Sequence, residues 1–111
     1  MKALEFVRES QENRLLLQQQ LVKDFGSIGE LFSEKFQTDV LEWNTLVASV
    51  RELTLNIIEK GEQKLLQLLY QVDIQEQYFL NLLGHESFLN KLTEAVIKRE
   101  AEKIYFRKKY S

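Results

Sequence analysis

Trp43, Val47, Val50, Leu53, Ile57, Gly61, Leu65, Leu68 and Val72 follow one another at steps of three or four residues without losing register. At about 100° per residue these positions form one stripe on a helix. Glu52, Asn56, Glu59 and Gln63 fall on the opposite side. The pattern predicts one long central helix over 40–72, about 50 Å long at 1.5 Å per residue. Gly61 lies on the stripe. In a helix interior it costs about 1 kcal/mol against alanine, and its missing side chain admits a close neighbour. Lys60–Gly61 also reads as a helix C-terminus, but the unbroken register favours continuity.

The chain as a whole has few means of turning sharply. It has 111 residues, no proline and four glycines. Tight turns draw on both residues, so a β architecture is disfavoured and an all-α bundle of four to five helices is expected. At 44% hydrophobic and 29% charged, it has enough apolar content to form a core. One domain over 1–111 fits this length. No sustained a/d heptad points to a rod-like coiled coil.

Leu4, Val7, Leu15, Val22 and Phe25 share a loosely helical face, interrupted by Gln11, Arg14 and Gln18. This predicts a helix strongest from Asn13 on, with 1–12 frayed or packed on a partner. Gly26-Ser27-Ile28-Gly29 breaks it, and Ser27 with Glu30 has capping-box spacing. Ile28, Leu31, Phe32 and Phe36 then suit one side of a short helix. Asp39 and Glu42 repeat the box. Asp73-Ile74-Gln75-Glu76 is a third, and predicts a helix to Leu83 buried through Ile74, Phe79 or Tyr78, Leu82 and Leu83. Gly84 suits a left-handed terminus. Ser87 is then the cap of a last helix, 88–108, with Phe88, Leu92, Ala95, Val96 and Phe106 on its core face and Arg99 and Lys103 on the same stripe.

The chemistry-bearing residues are sparse. Cysteine is absent and His85 is the one histidine. That removes thiolate nucleophiles, thiolate metal sites and disulfides. His85–Glu86 begins like H-E-x-x-H, but Leu89 stands where the second histidine would be. A carboxylate-bridged di-iron site needs two E-x-x-H units. Asp73 and Glu76 lack further ligands at a recognisable spacing, and read as helix punctuation. There is no P-loop and no G-x-G-x-x-G. No catalytic residue, metal or cofactor is therefore expected. The N-terminal MKALEFVRESQENR lacks the apolar core of a signal peptide, and no run approaches the roughly 20 apolar residues of a membrane span. A cytoplasmic location is the expectation.

Net charge is −2, which exerts no overall pull toward nucleic acid. The strongest asymmetry is KREAEKIYFRKKYS, residues 98–111. It concentrates Lys98, Arg99, Lys103, Arg107, Lys108 and Lys109, interleaved with Tyr105, Phe106 and Tyr110, and ends in a basic tail over 107–111. These cations suit either an anionic partner or the dipole at a helix C-terminus. The expected function is a non-enzymatic helical protein-interaction or structural adaptor module. The partner is a second copy, as a homodimer, or another helical protein, because a 50 Å stripe is hard to cover within 111 residues. The alternative is nucleic-acid or anionic-surface binding through 98–111.

Overall fold

A computed structural model describes residues 2–110, which form seven helices: α1 (Lys2–Arg8), α2 (Gln11–Ser27), α3 (Glu34–Thr38), α4 (Trp43–Lys60), α5 (Glu62–Val72), α6 (Glu76–Leu82) and α7 (Phe88–Tyr110). The all-α class is as expected, with more and shorter elements. The hub is α7, which packs against α1, α2, α4, α5 and α6. Its 23 residues span about 35 Å, the longest dimension of the 35 × 28 × 24 Å body.

The long central helix over 40–72 is not formed. Gly61, at φ 115° and ψ 174°, separates α4 from α5. An unbroken helix of about 50 Å would project beyond the 35 Å body. The break instead lets α4 and α5 pack on each other and on α7. It is pinned from outside by Glu30, a buried carboxylate 2.6 Å from Lys60 Nζ and 3.5 Å from Lys64 Nζ, one lysine on either side of the glycine. The stripe is nevertheless real. Val50, Ile57, Leu65, Leu68 and Val72 are buried, and Trp43, Val47 and Leu53 pack at the edge of the same core. It is covered within the chain, so it offers no surface for a second copy.

Helix punctuation differs from the expected caps at three of four positions. Ser27 is the last residue of α2, and its hydroxyl donates to the Lys23 carbonyl. Ser33 caps α3 instead, its Oγ accepting from Phe36 N at 3.2 Å. Residues 28–33 are not helical, and Leu31 is 76% exposed. Asp39 is the C-cap of α3, while Glu42 precedes α4 without a side-chain cap bond. Asp73 ends α5 in the left-handed conformation, φ 71° and ψ 54°. Its N–H and that of Ile74 both return to the Leu69 carbonyl, a helix-ending pattern, and Gln75 precedes α6. Ser87 does stand immediately before α7, its carbonyl accepting from Lys91 N. Gly84 has the expected positive φ, 80°.

The N-terminal segment is not frayed. Ala3 and Val7 of α1 are buried against the bundle. Phe6 meets Tyr105 edge-on, with ring centroids 5.4 Å apart, and the Ser10 hydroxyl caps α2 through Asn13 N. Residues 107–110 continue α7 rather than forming a tail; Ser111 lies outside the described residues. Leu92 and Val96 are buried, as are Ile97, Ala101 and Ile104, but Phe106 is 45% exposed and turns away from the core. On α6, Phe79 and Leu82 are buried, whereas Tyr78 and Leu83 face outward.

Buried Gln18, which interrupts the apolar pattern of α2, fastens the α3–α4 connection. Its amide nitrogen donates to the carbonyls of Phe36 (2.8 Å) and Asp39 (2.7 Å), and its oxygen accepts from Leu41 N (3.0 Å). One side chain thus satisfies three backbone groups that no helix ladder reaches.

Candidate functional site

The basic residues of 98–109 do not form a free cationic patch, since most face partners on other helices. Arg99 pairs with Asp73 (2.9 Å) and also donates to its carbonyl. Lys103 reaches Asp24 of α2 at 2.9 Å and the carbonyl of Gln71 on α5 at 3.3 Å. Arg107 donates to Gln20 of α2 at 2.8 Å, and Lys108 to Asn13 at 2.7 Å. Lys109 lies over the rings of Tyr105 and Tyr110. Lys98 is exposed beside Arg99. Their chief structural effect is to tie α7 to α2 and α5.

Lys103 belongs to a buried polar cluster. Asp24 is 3% exposed and Glu100 0% exposed. Asp24 gathers donors from Gln20 (3.0 Å), Gln71 (3.2 Å) and Lys103. Lys103 Nζ also lies 3.0 Å from Glu100 Oε2, yet neither Glu100 oxygen accepts a well-formed hydrogen bond. Burial raises the Glu100 carboxyl, and the adjacent Asp24 raises it further, to about 9. Burial also pushes Asp24 upward, but its donors (Glu100, Lys103, Gln20 and Gln71) together outweigh that and hold it at about 2. Burial alone would lower Lys103, but the two carboxyls turn the balance upward. The physical account is a division of roles. The fully buried acid with only Lys103 beside it keeps its proton, and the acid surrounded by several donors stays ionised.

Sequence reasoning singled out Lys103 but missed Asp24 and Glu100. The available signal was an acid in the apolar series Leu92, Val96, Glu100, Ile104, where spacing of four keeps one face. Among the described residues no group of three or more His, Asp or Glu is placed to hold a metal ion. His85 is exposed in the α6–α7 turn, its Nδ1 3.4 Å from Ser87 N.

The outer surface of α5 and α6 offers a different feature. Tyr70 is 90% exposed, and Leu66, one turn earlier, is 41% exposed. With Leu69, Asp73, Ile74 and Glu76 they line a depression of about 270 Å³. Leu80, also exposed, stands one turn after Glu76 on the same face of α6. A second, open groove of about 440 Å³ shares Asp73 and Ile74, and runs past Tyr78 to Lys98, Arg99 and Glu102 on α7. Arg99 holds the Asp73 carboxyl below its ordinary value by hydrogen bonding and charge. An apolar knob, an adjoining hollow and a rim carrying both signs of charge therefore lie together.

No protein-family model, no curated protein and no solved structure matches this chain. No helix among the described residues is long and apolar enough to cross a membrane.

Proposed function

We propose that this chain is a non-enzymatic helical interaction module that pairs with a second copy of itself through the outer face of α5 and α6. The observation that carries the reading is Tyr70, a large ring 90% exposed beside a hollow of about 270 Å³ lined by Leu66, Leu69 and Ile74. A two-fold contact sets the same patch against itself, so each ring enters the hollow of the other copy. The rim suits this as well, because exposed Lys98 and Glu76 line it and opposite signs can meet across the axis.

Leu66, Tyr70 and Leu80 leave an apolar patch of roughly 350 Å² on this face, within the range of the largest patch on a typical monomer. Doubled across a two-fold axis and completed by the polar rim, that surface suits a small, weak contact below the roughly 1,200 Å² of standard interfaces. An anionic-surface role for residues 98–111 has less support, because Arg99, Lys103, Arg107 and Lys108 are engaged within the fold. Sedimentation equilibrium over a wide concentration range is the test. A dimer that Tyr70→Asp weakens at least tenfold is expected; a strict monomer at high micromolar concentration would overturn the reading. Dimerisation should change little between low and moderate salt, whereas phosphate binding would weaken steeply.

A further inference from the structure

The buried cluster joins three helices at one point. Glu100 on α7 is faced by Asp24 from α2 and by Lys103 one turn further along α7, and Asp24 is in turn bound by Gln20 from α2 and Gln71 from α5. The charged side chains of α1 (Lys2, Glu5, Arg8), α4 (Arg51, Glu52, Glu59, Lys60) and α6 (Glu76) are exposed. With Asp24 ionised, Lys103 protonated and Glu100 neutral, the cluster has no net charge. A protonated Glu100 is a donor, and its natural acceptor is the Asp24 carboxylate. This also accounts for one of the two Glu100 oxygens that no N–H donor serves well, while Lys103 Nζ stands 3.0 Å from Oε2. Ionised, Glu100 would set a second negative charge against Asp24, fully out of water, with one ammonium between two carboxylates.

We propose that Asp24, Glu100 and Lys103 form a proton-operated latch: one proton between the two carboxyls clamps α7 to α2 and α5, and its loss loosens the C-terminal half of α7. The latch is closed at neutral pH and opens on the alkaline side. It also holds the last turn of α5, because Gln71 donates to Asp24 and its carbonyl accepts from Lys103. Tyr70 sits in that turn, so an open latch unsettles the contact face. That consequence rests on the proposed self-association; the latch itself does not.

The sign follows from linkage. The folded-state value of about 9 lies above the ordinary 4.5, so the folded protein binds more protons between those limits. The group's contribution is fully present below about pH 4.5 and is lost progressively toward about pH 9. Asp24, held at about 2, stays ionised throughout that window. The unfolding equilibrium constant should therefore rise about tenfold per pH unit from this one proton.

Urea unfolding of the full chain at pH 5, 7 and 8.5 tests this, at a protein concentration where the oligomeric state is fixed. Glu100→Gln copies the neutral acid: its amide donates to Asp24 and its oxygen faces Lys103. The wild-type slope should flatten by about one proton in this variant, which should be the more stable of the two at pH 8.5. Equal slopes, or a variant less stable at pH 8.5, would overturn the latch. Carbon-13 NMR of the Glu100 carboxyl in the wild type gives a second readout. The signal should remain that of the protonated acid at pH 7 and titrate above pH 8, and a midpoint at 4–5 would overturn the proposal even if the variant did not fold. At pH 10, amide order parameters over 104–110 should fall in the wild type and hold in Glu100→Gln; unchanged wild-type order there would refute the loosening of α7.

Discussion

Replacing Gly61 by L-alanine should destabilise the protein, although helix propensity argues the other way. At φ 115° and ψ 174°, Gly61 occupies a backbone region that residues with a Cβ almost never enter. A Cβ built there meets nothing within 4 Å, so steric crowding by neighbours does not contribute. The cost is local backbone strain, about 1–3 kcal/mol. The chain could escape by fusing α4 and α5, gaining about 1 kcal/mol of propensity. Fusion would pull Leu65, Leu68 and Val72 from the core, at about 1.5–3 kcal/mol for each fully buried side chain. Strain is the smaller loss, so the break persists. Thermal unfolding should report a midpoint lowered by roughly 4–12 °C, at about 4 °C per kcal/mol for a chain of this size. D-Alanine, placed by chemical synthesis, turns the same angles into the mirror image of ordinary extended backbone. It should be more stable than the L-variant. An L-alanine variant as stable as the parent, or a D-variant no better than the L-variant, would refute the argument. A rise in helical circular dichroism in the L-variant would show that fusion wins.

Other substitutions separate competing accounts of the same residues. Ser33→Ala should cost about 0.5–2 kcal/mol as the loss of a true cap, while Ser27→Ala should stay within about 0.5 kcal/mol; the reverse order in urea titrations would restore the cap read from sequence. Gln18→Leu should cost about 2–3 kcal/mol, because it strips partners from the Phe36 and Asp39 carbonyls and Leu41 N, and a neutral outcome would mean that water replaces them. Asp73→Asn keeps a residue that tolerates left-handed backbone, so it should melt higher than Asp73→Val; equal melting points would argue against Asp73 as the terminus of α5. His85→Gln should be silent within about 0.5 kcal/mol in the same assay, and a larger loss would assign His85 a role in the fold.

The apolar stripe from Trp43 to Val72 was legible because helical spacing is a local property, written in every turn. So were the all-α class, the ending at Gly84 and the start of α7 after Ser87. The capping boxes at Ser27, Asp39 and Asp73 were misleading for a related reason. A four-residue spacing records what a side chain can reach, but not which helix it serves. Asp73 is drawn to Arg99, 26 residues away, and ends one helix instead of starting the next.

The candidate surfaces were less legible still. The basic run of α7 stood out in sequence as a charge feature, but Asp24, Gln20 and Asn13, which engage it, lie roughly eighty or more positions earlier. Tyr70 lies about 200° round the helix from Leu68 and Val72, so its outward direction was legible, but the hollow beside it was not. Sequence by itself determined that this chain is helical, where its main apolar face runs and that it has no cysteine and one histidine, since composition and periodicity act residue by residue. The tertiary structure alone decided that the chain folds back at Gly61, that Glu100 rather than Asp24 keeps a proton, and which apolar side chains stay uncovered. Each of those outcomes is a competition between helices for the same space, and its result depends on contacts made across the whole chain.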